Sequence, residues 1–590
     1  MSYSKYSYAD TPTWHVRTVY AIGIVCWLGT VYGYIHFFML NAWYWVFMAP
    51  FLLVASAYYL LSYSINLFYK KFDSNKHRQR AAAYWLTMAG PHSQGGNRLP
   101  TVDVLLPVCG EGIPILKKVW QAVDKLDYPK DKLNVFVLDD CQDDPEVKRM
   151  AKKFGYQYLA RPNKGEMKKA GNLKFGYKQS SGEFIAIFDA DCAPHKDFLR
   201  ELLPYTHNKK VAIVQSPQYF STSKKLHLRS ALEFGAGHVQ EDFYRIIQRS
   251  RDHFGGAICV GTNAIYRRSA LDEVGGTYQI EHSEDVHTGF SLIQKGYSIK
   301  YVPVIVAIGL CPDNQHAYFR QQFRWCSGSM SLLLSGKLGD SGVSFKQKLC
   351  YISGFLYYIN HVLVLLWPFQ LFVQLGWHFY NINLINATPF LPYIVYSFIV
   401  LPNLRLTKPR LGTYLAMVSY SWSYATAVMV NILGGKLEWK ASHGSDQQLW
   451  SREYSRLVLF STTYWCVYVT LLGIFAAMHR LPLTNYRYYS VIIWAFFNTF
   501  LHGMFVYKNL QYMHGRKKHG VLQGLIHYRA LSTWRVKTVG VLAAYLCLII
   551  AGTALARQNP QFIARLPKPQ IKTPFVSPSM TVLTPKQIRL

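Results

Sequence analysis

Residues 184–191 read Phe-Ile-Ala-Ile-Phe-Asp-Ala-Asp, five apolar residues followed by two carboxylates that flank one alanine. A short run of β-branched and aromatic residues predicts a buried strand, here residues 184–188. Two carboxylates placed in this way at a strand end can bind Mg²⁺ or Mn²⁺ while the metal also holds a diphosphate. An exposed turn can carry the same Asp-x-Asp pattern, so the neighbouring segments decide between the two interpretations.

Alternating strand and helix patterns surround this stretch, between about residues 98 and 336. This alternation predicts a mostly parallel sheet with helices on both faces. The strand predicted at 135–138 also ends in acidic residues, Asp139 and Asp140. Ligands of such sheets gather beyond the carboxyl ends of the strands, so two acidic strand ends favour a ligand site at that edge. The other predicted elements here are strands at 102–107 and 212–215 and a helix at 115–126.

A basic segment precedes these carboxylates: residues 164–172 read Lys-Gly-Glu-Met-Lys-Lys-Ala-Gly-Asn. The lysines and the two glycines predict a loop that enters a helix. Lysine side chains and backbone N–H groups at such a place suit phosphate oxygens. Taken alone, the segment would be interpreted as a solvated lysine face.

Two interpretations are open for Ser283, Glu284 and Asp285, which precede a predicted helix at 286–293. In one, Ser283 is the N-cap and the two acids complement the helix dipole. In the other, Asp285 is a general base that deprotonates a hydroxyl group. The spacing alone favours the cap, and the neighbouring motifs favour the base.

Residues 321–325 read Gln-Gln-Phe-Arg-Trp and lie on a predicted amphipathic helix at 317–334. Arg324 can neutralise a departing diphosphate, and Trp325 can stack against a sugar ring. Arginine and tryptophan also favour the boundary of a membrane, so an interfacial anchor is the alternative. The two roles are compatible.

The distribution of apolar residues predicts a membrane protein. Half of the 590 residues are hydrophobic, and apolar windows of about 20 residues, long enough to cross a bilayer, lie near both ends of the chain. The first span lacks a cleavage site after its apolar run, so we expect it to be retained. Residues 414–433 carry many Ser, Tyr and Trp residues and are expected to lie along the interface. The predicted spans are 19–40, 43–68, 352–376, 390–402, 457–478, 489–506 and 539–556.

The formal net charge of +32 is explained by the sidedness of a membrane protein. No basic face with base-stacking or groove-reading elements is apparent, so nucleic acid binding is not predicted. Clusters of Lys and Arg follow the second, fourth and sixth spans, where an even number of crossings returns the chain to one side. The positive-inside rule makes this side, and the large middle segment, cytosolic. The ten cysteines form no Cys-x-x-Cys pair, so neither a zinc site nor a disulfide framework is predicted.

The chain is therefore predicted to have four parts. Residues 1–70 form two transmembrane helices, and residues 71–336 form a cytosolic α/β domain with an interfacial helix. Residues 337–557 form a second membrane region, which includes an interfacial helix at 413–434. Residues 558–590 form a basic, proline-rich tail, and no second cytosolic domain is expected there.

Four acidic and aromatic motifs follow one another along the chain: Asp139-Asp140, Asp189-x-Asp191, Glu284-Asp285 and Gln321-x-x-Arg324-Trp325. As a set, they resemble the signature of the membrane-integrated processive family-2 glycosyltransferases. Cellulose synthases are the most similar branch, and chitin, hyaluronan and curdlan synthases are relatives. The resemblance spans about residues 100–334. It implies an α/β cytosolic domain of the GT-A type inserted in an all-α, multi-span transmembrane region.

The resemblance also implies a role for each matched position. The residues expected to bind the nucleotide sugar are Asp139, Lys169, Asp189, Gln321 and Arg324. Those expected to bind the acceptor are Cys259, Gly261, Glu284 and Trp325. Asp189 and Asp191 should hold the divalent metal, and Asp285 should be the catalytic base.

Departures from the cellulose synthase pattern leave the linkage open. Residues 215–220 resemble a Gln-Thr-Pro-His-Phe-Phe segment of that branch, with Gln218 in place of the histidine. Ser283 replaces a threonine. Residues 437–444 lie where that branch has a gating loop, and they match it loosely.

The resemblance implies a processive, inverting β-glucan synthase of the cell membrane. It would use UDP-glucose and Mg²⁺ or Mn²⁺ and extrude a growing polysaccharide chain across the lipid bilayer, with cellulose-like β-1,4 or curdlan-like β-1,3 linkages. Chitin or hyaluronan synthesis from UDP-N-acetylglucosamine is the enzymatic alternative, and a transporter with a degenerate transferase domain is the non-enzymatic one. Accessory subunits and homo-oligomers stay open. Regulation by cyclic di-GMP is not expected, because no domain that would bind it is expected after the membrane region.

Overall fold

The structure is a computed structural model, and it describes the greater part of the chain. The described residues are 4–40, 42–89, 98–141, 143–220, 231–312, 314–369, 371–372, 386, 388–432, 452–478 and 489–515. The predicted gating-like loop at 437–444, the span at 539–556 and the tail at 558–590 lie outside them.

A seven-stranded sheet forms the centre of the middle segment, in the order β3-β2-β1-β4-β8-β6-β9. Its neighbouring strands are parallel except for β8, which is antiparallel to both β4 and β6. A smaller sheet has the order β5-β10-β7. The strands are β1 (Val102–Val108), β2 (Leu133–Asp139), β3 (Gln157–Ala160), β4 (Phe184–Ile187), β5 (Cys192–Pro194), β6 (Val211–Gln215), β7 (Tyr219–Phe220), β8 (Ala264–Arg267), β9 (Ser298–Tyr301) and β10 (Ala307–Gly309).

The central strands are apolar on both faces, as a sheet covered by helices on both sides requires. Successive side chains of a strand point to opposite faces. Leu105, Ile185 and Ile187 accordingly pack in one apolar cluster, while Val104 and Ala186 pack in another. The predicted mixed α/β fold with a mostly parallel sheet is confirmed.

The strand register brings the acidic strand ends to one edge of the sheet. Val108 of β1 lies opposite Asp139 of β2, and Leu105 of β1 lies opposite Ile187 of β4. Two residues beyond Ile187, the chain reaches Asp189 at the level of the last residues of β1. The sequence prediction of two acidic strand ends at one edge therefore describes the geometry correctly.

Helices cover the sheet. Helices also form the parts of the chain that precede and follow the sheet in the sequence. A π-helical turn over Phe243–Ile247 joins α8 to α9. The helices are α1 (Thr13–Leu40), α2 (Ala42–Leu67), α3 (Ser74–Ala89), α4 (Ile113–Asp124), α5 (Pro145–Phe154), α6 (Lys168–Gln179), α7 (Phe198–Leu202), α8 (Ala231–Asp242), α9 (Gln248–His253), α10 (Arg268–Asp272), α11 (Glu284–Gln294), α12 (Gln315–Leu334), α13 (Phe345–Val364), α14 (Leu391–Val395), α15 (Leu401–Asn403), α16 (Leu411–Ile432), α17 (Arg452–Ala477) and α18 (Tyr489–Gly515).

Four helical segments of the described part of the chain are long and apolar enough to cross a membrane: Thr13–Met39, Met48–Leu67, Phe345–Phe369 and Glu453–Ala477. They correspond to four of the predicted spans. The span predicted at 489–506 falls within the long helix α18, which is not one of the four. The span predicted at 390–402 is a broken helix, with a π-helical turn between α14 and α15. Its helical part, Leu391 to Asn403, is about 20 Å long, shorter than the roughly 30 Å hydrocarbon core of a bilayer.

Helix α16, which covers the predicted interfacial segment, is buried more deeply than a surface helix would be. Side chains along its whole length, among them Thr413, Ser423 and Ala427, are almost fully buried. A Cβ atom on Gly235 of α8 would overlap the Gly412 carbonyl of α16, so the two helices approach backbone to backbone. The small and hydroxyl-bearing residues of α16 are therefore explained by close helix packing. Its position at a membrane interface stays a prediction.

Candidate active site

A cavity of about 170 Å³ lies at the carboxyl edge of the central sheet. It is lined by the loops that follow β1, β2 and β4, the starts of α6 and α11, and the middle of α12. The predicted site residues that line it are Lys169, Asp189, Asp191, Glu284, Asp285, Arg324 and Trp325. Motifs that are separated by more than 150 residues in the sequence thus surround one space.

Asp189 and Asp191 occupy the turn between β4 and β5. The backbone N–H of Asp189 donates to the Thr262 hydroxyl at 2.9 Å, and the N–H of Cys192 donates to the Asp189 carbonyl at 2.9 Å. The Asp191 carbonyl accepts a bond from the N–H of Leu310 at 3.1 Å. These backbone bonds fix the turn and leave the carboxylates at the cavity.

Lys169, near the start of α6, is bound by groups from three other elements. Its Nζ lies 2.5 Å from Asp189 Oδ1 and 3.6 Å from Glu284 Oε1, and it donates to the Gly261 carbonyl at 3.1 Å. Burial lowers the pKa of Lys169, but Asp189 and Glu284 more than offset that effect and raise its pKa above the ordinary value. The side chain is therefore a fixed cation in an otherwise acidic pocket.

Asp285 lies in the first turn of α11, directly against the backbone of another loop. Its Oδ1 accepts a hydrogen bond from the N–H of Val286 at 2.8 Å. Gly261 has a φ angle of +72°, and a Cβ atom there would be 2.8 Å from Asp285 Oδ2. Burial and the neighbouring Glu284 raise the pKa of Asp285 to about 7. A carboxylate with this pKa is suited to accept a proton near neutral pH.

The alternative in which Ser283 caps α11 is supported only by its position. Ser283 occupies the N-cap position, but its side chain makes no capping hydrogen bond and its φ angle is 56°. Gly328 of α12 lies so close that a Cβ atom there would overlap the Ser283 side chain. The turn before Asp285 is therefore shaped by its contact with α12.

Arg324 and Trp325 project from α12 into the cavity lining. Burial lowers the pKa of Arg324, while Asp189 and Asp191 oppose that shift. Gln321, one turn earlier, is buried and is not part of the lining. Its Oε1 accepts from Gln322 Nε2 at 3.4 Å.

Asp139 and Cys259 also lie away from the lining. Asp139 Oδ2 accepts from the Tyr158 hydroxyl at 2.6 Å, and its Oδ1 accepts from the Cys141 N–H at 2.9 Å, so it organises the loop after β2. The Cys259 thiol is fully buried, 3.1 Å from the Tyr266 hydroxyl. The prediction that Cys259 itself contacts an acceptor stays a prediction.

The cavity is also lined by residues to which the sequence analysis assigned no role: Glu111, Asp140, Gln218, Glu281 and His282. Asp140 is held by Arg161, whose Nε and Nη2 lie 2.5 and 2.8 Å from its carboxylate oxygens. Burial raises the pKa of Glu111 to about 7, and Asp191 and Asp189 add to that shift. Glu111 follows the first predicted strand, so the strand-end rule that identified Asp139 and Asp189 could also have identified it.

The carboxylates at the cavity have the donor chemistry of a site for a hard divalent cation. Asp189 and Asp191 provide oxygen ligands, which Mg²⁺ and Mn²⁺ prefer. Among the described residues, no group of three or more His, Cys, Asp or Glu side chains is arranged to hold a metal alone. The pair therefore fits an ion whose other ligands come from a bound diphosphate and water.

A pH profile should report the ionisation of Asp285. A base accepts a proton only when ionised, so, if Asp285 has the role that the resemblance implies, kcat/KM for the sugar donor should rise as the pH rises through about 7 and then level off. Below that pKa, the loss approaches about tenfold per pH unit. Because the pKa of Glu111 is also about 7, the Glu111→Gln variant is the control. A profile that becomes flat in this variant would contradict the assignment to Asp285.

Residues 100–328 match the model of a family described as glycosyltransferase like family 2. The cellulose synthase 1 catalytic subunit (UDP-forming) of Komagataeibacter xylinus is 30% identical over 295 residues, 49% of this chain and 38% of that protein. The corresponding subunit of Pseudomonas fluorescens is 31% identical over 303 residues, 50% of this chain and 41% of that protein. The chain thus spans well under half the length of these relatives.

A comparison with solved structures gives a mannosyltransferase from Pyrobaculum calidifontis, in complex with GDP-Man and Mn²⁺. It is 17% identical with a TM-score of 0.43, and the match covers 64% of this chain and 99% of the mannosyltransferase chain. The family match and the catalytic-subunit relatives establish the class: residues 100–328 form a family-2 glycosyltransferase domain. This domain is cellulose synthase-like, as the sequence motifs predicted.

Proposed function

We propose that this protein is a membrane-bound, processive and inverting β-glucan synthase that transfers glucose from UDP-glucose to a growing chain. The observation that carries the proposal is the position of Asp285 in the cavity that also holds Lys169, Asp189 and Arg324. A raised-pKa carboxylate beside fixed cations suits a reaction that removes a proton and releases an anionic diphosphate. The names of the relatives, which specify that UDP is formed, support the choice of nucleotide.

In the proposed reaction, Asp285 takes the proton of an acceptor hydroxyl. The acceptor oxygen bonds to the anomeric carbon while the bond from that carbon to the UDP oxygen breaks, and UDP leaves with the bonding electrons. Lys169 and Arg324 neutralise the charge that develops on the diphosphate. A divalent cation held by Asp189 and Asp191 would supply further electrostatic stabilisation of that group. Trp325 provides a flat surface for the acceptor ring.

The four candidate membrane helices and the positive-inside pattern support a location in the cell membrane, with the transferase domain in the cytosol. Helices α12 and α16 join the transferase domain to the helical region, because both contribute to one apolar cluster with β1 and β4. In the proposal, the chain end beside Trp325 leaves the cavity toward these helices. The polymer then crosses the bilayer.

Chitin or hyaluronan synthesis is the second candidate, and the linkage of a glucan is also open. The segment at 215–220, which resembles that of the glucan branch, favours glucose. The discriminating experiment measures UDP release by the purified protein with each UDP-sugar in turn, followed by digestion of the product with linkage-specific glucanases. Release with UDP-N-acetylglucosamine alone would contradict the glucan proposal.

A degenerate, non-catalytic transferase domain is less well supported. Such a domain requires neither a base nor a pair of metal-binding carboxylates, yet Asp285, Asp189 and Asp191 all line the cavity. Lys169 and Arg324 are positioned at the same cavity. If the protein releases UDP from none of the UDP-sugars, the transporter is favoured.

Removal of a divalent cation should stop the reaction. EDTA should abolish UDP release, and Mg²⁺ or Mn²⁺ should restore it, because the departing diphosphate needs compensation of its charge. Asp191→Asn should reduce activity at least about 100-fold at ordinary metal concentration and raise the metal concentration needed for half-maximal rate. Asp131→Asn, a change to an exposed carboxylate outside the cavity, is the matched control. Full activity in the presence of EDTA would contradict the metal proposal.

A further inference from the structure

His282 lies in the cavity lining, three residues before Asp285. None of the four sequence motifs contains it. The ring shares the lining with Arg324 and Trp325 of α12. It is therefore positioned where the proposed base and the proposed acceptor surface meet.

Both ring nitrogens of His282 are buried and have no hydrogen-bond partner among the described residues. Two other buried histidines differ. His77 contacts Tyr205 and Glu201, and His238 contacts Thr407 and Arg405, so each uses both nitrogens. Buried polar groups are nearly always satisfied, so two unsatisfied nitrogens on a residue that lines a cavity indicate that a ligand or ordered water completes them.

The electrostatic surroundings keep the His282 ring neutral. Burial lowers the pKa of His282 to about 4, and the positive charges of Arg324 and Lys168 add to that shift. A neutral imidazole presents one N–H donor and one nitrogen acceptor. A diphosphate offers only acceptors, whereas a sugar hydroxyl both donates and accepts. Hydroxyl groups can therefore satisfy both ring nitrogens, whereas phosphate oxygens could satisfy only the N–H.

We propose that His282 binds a hydroxyl of the acceptor sugar and so orients the chain end toward Asp285. This inference rests on the proposed function, since it assigns a residue to the acceptor of that reaction. The acceptor, and not the donor, is chosen because His282 belongs to the segment that carries the base. The base must contact the acceptor hydroxyl that attacks.

The test compares His282→Phe with His282→Gln in the full-length protein, reconstituted in lipid with UDP-glucose and Mg²⁺. Phenylalanine keeps the size of the ring and removes both nitrogens, whereas glutamine restores one donor and one acceptor. For each variant, glucose incorporation into polymer and the hydrolysis of UDP-glucose by water are measured separately. The affinity for UDP is measured as well. Retained UDP affinity shows that the variant has folded.

We expect His282→Phe to lower polymer formation by about tenfold or more, the effect of one lost hydrogen bond in a buried site. UDP affinity and the hydrolysis of UDP-glucose by water should stay unchanged, and His282→Gln should recover part of the polymer synthesis. Unchanged polymer formation in His282→Phe would overturn the inference. An equal fall of hydrolysis and polymer formation would overturn it too, because it would place the histidine at the donor. Absence of UDP release in the wild-type protein would instead refute the proposed function.

Discussion

Replacement of Asp285 by asparagine should abolish polymer synthesis while UDP still binds with nearly wild-type affinity. The amide keeps the size of the side chain and its contact with the Val286 N–H, but it cannot accept the proton of the acceptor hydroxyl. General-base catalysis contributes about 10²- to 10⁴-fold to a rate, so the residual activity should be at or below about 1%. Initial rates of UDP release and UDP affinity measured by calorimetry give the two quantities.

The matched control for this variant is Asp124→Asn, which removes an exposed carboxylate at the end of α4 that pairs with Lys130 at 3.4 Å. It should leave both the rate and the affinity unchanged. Normal polymer synthesis by Asp285→Asn would remove Asp285 from its role as base. A parallel loss of UDP binding would instead make its role structural.

Substitution of alanine for Gly261 should be nearly as damaging, although it adds only one methyl group. That methyl would lie 2.8 Å from Asp285 Oδ2 and 2.9 Å from Asp285 Cβ, and the φ angle of +72° disfavours any side chain. The carboxylate would have to move, and a displacement of about 1 Å at a reacting group can reduce a rate roughly 100-fold. The Gly261 carbonyl also accepts from Lys169, so the cation would shift with the loop.

Gly275 provides a control that separates strain from contact. Its φ angle is +76°, close to that of Gly261, but a Cβ atom there would meet no atom of the described residues within 4 Å. Gly275→Ala should therefore show the backbone effect alone, about 1–2 kcal/mol of stability without a loss of specific activity. If the two alanine variants have the same kcat, the proposed contact between Gly261 and Asp285 is not important for catalysis.

The arrangement of the acidic motifs was predictable because parallel strands place their carboxyl ends at one edge. Asp189 and Asp191 needed only the apolar run before them to be located. Asp285 and Arg324 required the neighbouring motifs as well, since local spacing favoured a helix cap for Asp285 and also fitted a membrane anchor for Arg324. The structure brings all four to one cavity.

What the sequence missed depends on contacts between distant segments. Asp139 ends a strand as predicted, but the Tyr158 hydroxyl binds its carboxylate and Asp140 faces the cavity instead. Cys259 matches a motif, yet its thiol is buried beside Tyr266. His282 carried no local signal, because its significance lies in the lack of a partner for either nitrogen among the described residues. None of these outcomes follows from hydrophobic period or motif spacing.

The membrane region shows the same limit of local reasoning. The long apolar windows found the helices at 13–39, 48–67, 345–369 and 453–477. The window at 390–402 is interrupted by a π-helical turn, which hydropathy does not detect. The composition of α16 predicts an interfacial helix; the structure shows close packing of this helix against α8, and its position at an interface stays a prediction.

The β-glucan synthase proposal is tested by the product of the purified, lipid-reconstituted protein supplied with radiolabelled UDP-glucose and Mg²⁺ or Mn²⁺. We expect UDP to be released in proportion to glucose incorporated and the labelled polymer to be digested by a β-glucanase. We expect neither signal with Asp285→Asn. A wild-type protein that binds UDP but releases none from UDP-glucose, or whose product resists every β-glucanase, would contradict the proposal.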